Sequence, residues 1–207
     1  MLKGKQLFDF VHSGLSVLGK NFSGLWMVEL GSQGMSVPGI KYSVAKDYFK
    51  ALGFEHLSID MDGLHGSVQL DLTRKLTQFY GQFDVVTNFG TSEHVHDQFT
   101  CFENIHWFCK TGGIMIHSVP LPGHWPMHCE FHYPEKFFIQ LAKKCYYEIC
   151  RKQVISMSGG PASMIGKRGL ACVVLKKQFS TAFIKIDEFN KFPIVKEDYL
   201  RNHNNLR

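Results

Sequence analysis

Residues 25–34 read LWMVELGSQG and decide the fold of the chain. The first six form a short, continuous apolar run with one acid near its end, which is typical of a parallel strand buried on both faces. The glycines and small residues at positions 31–34 predict a tight turn. A helical apolar spacing begins at Pro38 and ends at Gly53, a residue type that commonly terminates helices. Strand, turn and helix together indicate an α/β domain.

The same alternation continues on both sides of this segment. Residues 148–157 and 170–177 are rich in β-forming side chains and are separated by a glycine-rich turn, so we expect an antiparallel pair at the end of the sheet. The predicted fold class is therefore α/β, a doubly wound, mostly parallel sheet with an antiparallel last strand pair. The other predicted strands are 56–60, 68–70, 83–88 and 114–119, and the other predicted helices are 5–19, 72–80, 95–109 and 135–147.

Length and composition fit a single globular domain. The chain has 207 residues, of which 44% are hydrophobic and 20% are charged. We predict a domain over residues 1–178, which begins with the N-terminal helix, and a C-terminal tail over 179–207 that packs on or near it. No apolar run has the ~20 residues that a membrane-spanning helix needs, so no membrane partner is expected.

The charge of the chain and its cysteines limit which binding partners and which cellular compartment are expected. The formal net charge is +5, and the basic residues occur in pairs rather than as a dense face, which does not favour a nucleic-acid partner. The six cysteines contain no CxxC pair, and the N-terminus has no export signal, so we expect reduced thiols and a cytoplasmic protein. Nothing in the pattern specifies an oligomeric state.

The turn after the first predicted strand is a candidate ligand site. Glu29 lies near the end of the strand, and Gly31, Ser32 and Gln33 follow. Small residues let a ligand approach the backbone, and the N-terminus of a following helix supplies free N–H groups. The alternative is a plain tight turn, because Gln33 stands where the G-x-G-x-x-G nucleotide fingerprint has its second glycine.

Asp60 ends the second predicted strand, one crossover later. A carboxylate at this place can accept hydrogen bonds from the ribose hydroxyls of an adenosine that lies across the strand ends. The alternative is an aspartate that caps a helix or a turn. A glycine-containing turn followed by a strand-two acid fits both an adenosine cofactor and a dinucleotide such as NAD.

The stretch from Phe83 to Pro120 carries the most specific pattern. It reads FDVVTNFGTSEHVHDQFTCFENIHWFCKTGGIMIHSVP. It resembles the central block of class I S-adenosylmethionine-dependent methyltransferases, especially the branch of ubiquinone-pathway O-methyltransferases and related small-molecule enzymes. The similar features are the strand FDVV, the sequence EHV followed by Asp97, the turn KTGG at residues 110–113 and the closing proline. The resemblance extends over roughly residues 22–175.

This resemblance implies a Rossmann-like methyltransferase fold, S-adenosylmethionine as cofactor, and methyl transfer to an oxygen or nitrogen of a small-molecule acceptor. The chain departs from the family pattern in the glycine loop, where Gln33 and Met35 replace glycines. It also departs in the link from Asp60 to Val68, which is short for a crossover between parallel strands. The cofactor contacts that the resemblance implies are Glu29, Gly31, Ser32, Gln33, Asp60, Asp71, Leu72, Asn88, Phe89 and Gly90.

Glu93 and His94 are the candidate catalytic residues. They follow the fourth predicted strand at the carboxyl edge of the sheet, where ligands bind in open α/β folds. Imidazole titrates near neutrality, so His94 can serve as a base for a hydroxyl acceptor. The alternative is that both residues only begin the next helix, where the helix dipole stabilises Glu93.

Histidines cluster after the start of the fifth predicted strand and in the proline-rich loop that follows. Together with the N-terminal helix, this loop is expected to shape the acceptor pocket. The alternatives are loop packing and a partial metal site made by Glu93, His94 and His128. Because the acid that such metal sites place before EHV is absent, no metal is expected. The predicted pocket residues are His117, His124, Trp125 and His128.

Three functions stand as hypotheses. The first is a small-molecule methyltransferase. The second is a catalytically silent binding module on the same fold, which the altered glycine loop motivates. The third is a nicotinamide-dependent oxidoreductase, which the turn and Asp60 allow but which gives Glu93 and His94 no role.

Overall fold

The computed structural model describes residues 1–125, 127–156 and 169–197. Within these residues, a seven-stranded sheet forms the centre of the molecule. The strands are β1 (Leu2–Lys3), β2 (Trp26–Leu30), β3 (Met35–Ser36), β4 (Glu55–Asp60), β5 (Val68–Gln69), β6 (Phe83–Phe89), β7 (Cys109–Pro120), β8 (Phe131–His132), β9 (Tyr147–Ser156), β10 (Gly169–Lys177) and β11 (Val195–Lys196). The α-helices are α1 (Lys5–Leu15), α2 (Ala45–Ala51), α3 (Gln98–Phe108), α4 (Glu135–Cys145) and α5 (Ile186–Phe189).

In the central sheet the strand order is β5-β4-β2-β6-β7-β10-β9. The four neighbouring pairs from β5 to β7 are parallel, whereas β10 is antiparallel to both β7 and β9. This arrangement confirms the predicted fold class, a doubly wound, mostly parallel sheet with an antiparallel last pair. The glycine-rich turn predicted between β9 and β10 lies in residues 157–168, outside the described residues.

Both faces of the sheet are covered, because neighbouring residues along a strand point to opposite faces. Met27 of β2 packs on the side of α1 and α2, and Val28 packs on the side of α3 and α4. Both side chains are fully buried. A strand between two helical layers therefore needs apolar residues in succession, which explains the continuous run in the sequence.

The strand order reverses between β2 and β6. The chain leaves β2 toward β4 and β5 on one side and later places β6 on the other side. Loops that follow strands at such a reversal run in opposite directions and leave a crevice at the carboxyl ends of the strands, where ligands of open α/β sheets bind. We call this place the switch crevice. It lies between the loop after β2 (residues 31–34) and the loop after β6 (residues 90–94).

The helix predicted over 38–52 was wrong in its first half. α2 begins only at Ala45, and residues 35–36 form β3, which pairs in parallel with β1. The amide of Leu2 also donates to the carbonyl of Gly34 at 2.9 Å. In the first half of the predicted helix, the carbonyl of Ser43 accepts from the amide of Met35 at 2.7 Å, and the amide of Ala45 donates to the carbonyl of Gln33 at 2.9 Å. This backbone therefore pairs with the segment after β2 rather than within a helix. The turn after β2 is consequently not followed at once by a helix N-terminus.

The helix predicted over 72–80 was also wrong. A single 3-10 turn, Thr77–Phe79, forms there. The side chain of Asn104 on α3 donates to the carbonyls of Leu72 and Arg74 at 3.2 and 2.8 Å. These hydrogen bonds satisfy backbone groups that would be paired with each other in a helix. Contacts with Asn104, which is distant in the sequence, thus replace the hydrogen bonds of the predicted helix.

The link from β4 to β5 contains a 3-10 turn, Leu64–Gly66, instead of an α-helix. β5 is correspondingly a strand of two residues at the edge of the sheet. The shortened crossover in the sequence therefore corresponds both to a lost helix and to a minimal third strand.

The segment after β10 packs back on the domain. Phe183, Ile184 and Phe189 are at most 9% exposed and belong to the core on the α3 and α4 side. β11 pairs with β8 in antiparallel fashion. The division at residue 178 stays a prediction. Across the described residues, no helix combines the length and the apolar character that crossing a bilayer requires.

Candidate functional site

A pocket of about 670 Å³ opens beside the switch crevice, at the carboxyl ends of β6 and β7. Cavities of this size are usual for small-molecule sites. The lining comes from the N-terminal segment with the first turn of α1, from the loop after β6, from the loop after β7, and from β9 and β10. Lining residues that the sequence did not single out include Met1, Lys3, Ser118, Ser156 and Leu170.

The predicted site residues fall into two groups in the structure. One group lines the pocket: Phe89, Gly90, Glu93, His94, Trp125 and His128. The other group is not part of this lining: Glu29, Gly31, Ser32, Gln33, Asp60, Asp71, Leu72, Asn88, His117 and His124.

Glu93 lies in the wall of the pocket and is almost fully buried. It is 2% exposed, and its Oε2 atom has no hydrogen-bond partner among the described residues. Burial raises the pKa of this carboxyl to about 8. At neutral pH the group is therefore largely protonated, and a protonated carboxyl donates a hydrogen bond rather than accepting a proton.

His94 follows Glu93 in the chain and faces His128 across the pocket. The two imidazole rings are 5.2 Å apart and nearly perpendicular. Burial lowers the pKa of His94, and the nearby His128 lowers it further. A neutral imidazole has one nitrogen that can accept a proton. Within the pocket wall, His94 is thus a suitable general base at neutral pH.

Asn88 and His117 lie behind the pocket wall in a buried polar cluster. Asn88 Nδ2 donates to Ser92 Oγ at 2.8 Å, and the amide of Ser92 donates to Asn88 Oδ1 at 3.1 Å. His117 Nδ1 lies 3.3 Å from Asn88 Nδ2. Burial lowers the pKa of His117 to about 3, so this ring stays neutral. The cluster fixes the start of the loop that carries Glu93 and His94.

His124 and Trp125 fasten the loop after β7 to the start of β10. The amide of Gly169 donates to His124 Nδ1 at 2.6 Å, and Trp125 Nε1 donates to the carbonyl of Gly169 at 3.2 Å. A Cβ atom at Gly169 would lie 2.6 Å from His124 Nδ1, so this contact requires glycine. Trp125 and His128, whose ring centroids are 5.5 Å apart, then reach the pocket.

Asp60 organises the loop after β2 through its carboxylate. The amide of Ser32 donates to Asp60 Oδ2 at 2.6 Å, and the amide of Met61 donates to Oδ1 at 2.7 Å. Gly31 follows β2 with φ +78°, a conformation that favours glycine. The side chain of Gln33 turns back over Gly31 and reaches Thr91 in the loop after β6. Asp60 and Gly31 therefore lie on the side of the switch crevice that is away from the pocket.

Glu29, Asp71 and Leu72 lie away from the pocket. Glu29 is fully buried, and its Oε2 is 3.8 Å from Nε2 of His56. Burial raises the pKa of Glu29 to about 8 and lowers that of His56 to about 3. Asp71 caps a turn by accepting from the amide of Thr73 at 2.8 Å, and Leu72 is 6% exposed in the core.

Sequence reasoning missed Thr91 and Lys3 as neighbours of the site. Thr91 lies at the site because it contacts Gln33, and Lys3 lies there because β1 pairs with β3. Both placements depend on long-range pairing, for which the local pattern carries no signal. Over the described residues, no group of three or more His, Cys, Asp or Glu side chains is arranged to hold a metal ion.

The sequence matches no protein-family model and no curated protein sequence. Solved structures do share its architecture. The 1,6-didemethyltoxoflavin-N1-methyltransferase of Burkholderia thailandensis, solved with 1,6-didemethyltoxoflavin and S-adenosylhomocysteine, has a TM-score of 0.57 at 13% identity, covering 82% of this chain and 78% of that chain.

Two further structures belong to methyltransferases named for other acceptors. Geranyl diphosphate C-methyltransferase of Streptomyces coelicolor A3(2) has a TM-score of 0.54 at 10% identity, with 83% and 81% coverage of this chain and that chain. The 16S rRNA (adenine(1408)-N(1))-methyltransferase of Catenulisporales acidiphilia has a TM-score of 0.50 at 10% identity, with 82% and 92% coverage. The chain therefore has the fold of class I S-adenosylmethionine-dependent methyltransferases, and this fold does not specify the acceptor.

Proposed function

We propose that the chain binds S-adenosylmethionine and transfers its methyl group to an oxygen or nitrogen of a small molecule. The observation that carries the proposal is the pocket beside the switch crevice, which has a neutral histidine in its wall. The fold, the position of the pocket at the carboxyl ends of β6 and β7, and the placement of Asp60 at the end of β4 all support it.

The residues at the crevice fit this cofactor in their chemistry. A carboxylate has about four acceptor positions, and the strongest backbone bonds to Asp60 come from Ser32 and Met61. Acceptor capacity is left for the ribose hydroxyls. When bound, the cofactor supplies a methyl group that its sulfonium has already activated, so the protein needs to orient the acceptor, exclude water and remove a proton.

We assign proton removal to His94. Its imidazole is neutral at neutral pH and faces the pocket, so it can accept the proton of an acceptor hydroxyl or amine during methyl transfer. Glu93, which is protonated at the same pH, can donate a hydrogen bond that orients the acceptor. The aromatic side chain of Trp125 provides an apolar wall.

The proposal of a small-molecule acceptor rests on the shape of the site. A pocket of about 670 Å³ that is partly covered by the N-terminal segment suits a compact ligand. Macromolecular acceptors remain an outcome of the test, because the rRNA enzyme has the same fold.

A catalytically silent binding module is the second candidate. The observation that favours it is the side chain of Gln33, which spans the switch crevice and contacts Thr91. A module that has lost cofactor binding would need no open crevice. A measurement of methyl transfer therefore has to distinguish the methyltransferase from the silent binding module.

The test is methyl transfer from S-adenosylmethionine labelled with tritium in the methyl group. The protein is incubated with a cell extract separated into small molecules, RNA and protein. We expect label in the small-molecule fraction. His94→Ala should lower the initial rate at least about 100-fold, the usual contribution of a general base.

His96→Ala is the matched control, because this exposed histidine pairs with Glu130 and does not line the pocket. Its rate should equal that of the wild type. Label only in RNA or protein would overturn the small-molecule acceptor, and equal loss in both variants would remove His94 from the chemistry.

A further inference from the structure

One side chain closes the switch crevice. Gln33 is 6% exposed although it lies in the loop after β2. Its Nε2 atom donates to Thr91 Oγ1 at 3.1 Å and to the carbonyl of Leu30 at 3.3 Å. Its Oε1 atom accepts from the N-terminal ammonium of Met1. Thr91 Oγ1 donates to the same carbonyl at 2.7 Å. These hydrogen bonds join the two loops that otherwise diverge at the ends of β2 and β6.

The space over Gly31 shows how completely the crevice is filled. A Cβ atom built on Gly31 would lie 2.6 Å from Gln33 Nε2 and would also collide with Thr91 Oγ1. Real Cβ atoms essentially never approach other heavy atoms below 3.0 Å. The direction in which a Cβ atom of Gly31 would point is therefore closed to a ligand atom while Gln33 and Thr91 keep these positions.

A cofactor that reaches from Asp60 to the pocket has to cross this place. Asp60 ends β4, whereas Gly90 of the pocket follows β6, and β2 lies between these two strands. Gly31 is the first residue after β2. In S-adenosylmethionine the sulfur joins the adenosine to the amino-acid chain. If the ribose of this cofactor lies at Asp60 and its sulfur points toward the pocket, its amino-acid chain lies at the switch crevice.

We propose that Gln33 is a gate: its side chain occupies the place of the cofactor's amino-acid end and swings out before that end enters. This inference rests on the proposed function. Opening the gate exchanges the hydrogen bonds of Gln33, including the one that it accepts from the N-terminal ammonium, for others. A net difference of one hydrogen bond changes an equilibrium by about three- to tenfold. Gln33 thus lowers the affinity for the amino-acid end and leaves the affinity for the adenosine end unchanged.

The test compares two ligands that differ in the amino-acid end. S-adenosylhomocysteine has it, and 5′-methylthioadenosine has the adenosine and the sulfur without it. Both are titrated calorimetrically into the wild type, into Gln33→Ala, and into Gln153→Ala, which changes an exposed glutamine on β9. Thermal melts by circular dichroism verify that the three proteins are folded.

For Gln33→Ala we expect S-adenosylhomocysteine to bind about three- to tenfold more tightly and 5′-methylthioadenosine to bind with unchanged affinity. Gln153→Ala should match the wild type for both ligands. Unchanged or weaker binding of S-adenosylhomocysteine by Gln33→Ala would overturn the gate while leaving the proposed function intact. So would an equal gain for both ligands, since only the amino-acid end is gated. Absence of binding of either ligand to every protein would overturn the proposed function and the gate with it.

Discussion

Glu29 is a carboxylic acid that is fully buried inside the sheet. It lies in the middle of the sheet, where neither carboxyl oxygen has a hydrogen-bond partner among the described residues, and His56 is 3.8 Å away. The ordinary pKa of a glutamate is 4.5, and burial raises that of Glu29 to about 8. Between these pH values the folded chain keeps a proton that the unfolded chain has released. The contribution of Glu29 to the free energy of unfolding therefore falls as the pH rises from 4.5 to 8.

Glu29→Gln should remove this part of the pH dependence, because an amide does not titrate. We expect the variant to exceed the wild type by about 1–3 kcal/mol in unfolding free energy at about pH 9, each pKa unit being worth about 1.4 kcal/mol. Near pH 5 the two should be similar. Urea denaturation at both pH values measures the difference.

Glu55→Gln is the control, since Glu55 is exposed at the start of β4. It should follow the wild type at both pH values. If Glu29→Gln were less stable than the wild type under the alkaline as well as the acidic condition, the carboxyl would have a favourable charged partner in the fold, and burial would not dominate its titration.

For single residues, the sequence predicted the position along the sheet better than it predicted the side-chain contacts. The EHV pattern correctly led to a loop at the carboxyl edge of the sheet, because a strand end is a local property. In the sequence, Gln33 stood in the place of a glycine and was predicted as a cofactor contact. Its role depends on Thr91, which is distant in the chain and close only after β2 and β6 have paired.

At the element scale, the apolar strands were predictable and two helices were not. β2 lies between two helical layers, so its sequence is an almost continuous apolar run. The backbone of residues 43–45 instead pairs with residues 33–35, and residues 72–76 are held by Asn104. In both cases a distant partner satisfied backbone groups, and helical periodicity lost to tertiary contacts.

The segment after β10 is a second element whose importance the sequence understated. Phe189 of α5 is 2% exposed, and its ring lies 5.9 Å from that of Phe102 and 6.1 Å from that of Phe137. It thus contributes to the core shared by α3 and α4. Its removal leaves a cavity there.

Phe189→Ala should lower the free energy of unfolding by about 3–5 kcal/mol, the usual cost of truncating a buried phenylalanine. Phe179→Ala is the matched control in the same segment, because Phe179 is 59% exposed. It should change stability by no more than about 0.5 kcal/mol. Urea denaturation followed by far-ultraviolet circular dichroism measures both. Equal, small effects would mean that this segment is not part of the cooperative core.

At the scale of the whole molecule, the site is a consequence of strand order. The reversal between β2 and β6 brings the loops after these strands to one edge, and the antiparallel β10 places Gly169 where it anchors the loop after β7. Local patterns predicted the class of this sheet. The closure of the crevice and the cover supplied by the N-terminal segment arise only when all strands are assembled.

We propose that this assembly binds S-adenosylmethionine, and calorimetric titration measures that binding. S-adenosylmethionine, S-adenosylhomocysteine and NAD are titrated in parallel into the wild type and into Asp60→Asn, with Asp187→Asn on α5 as control. We predict binding of the first two ligands, no binding of NAD, and affinity at least about tenfold weaker in Asp60→Asn, because a bond to a charged group is lost. Binding of NAD alone, or no binding of any of the three, would contradict the claim.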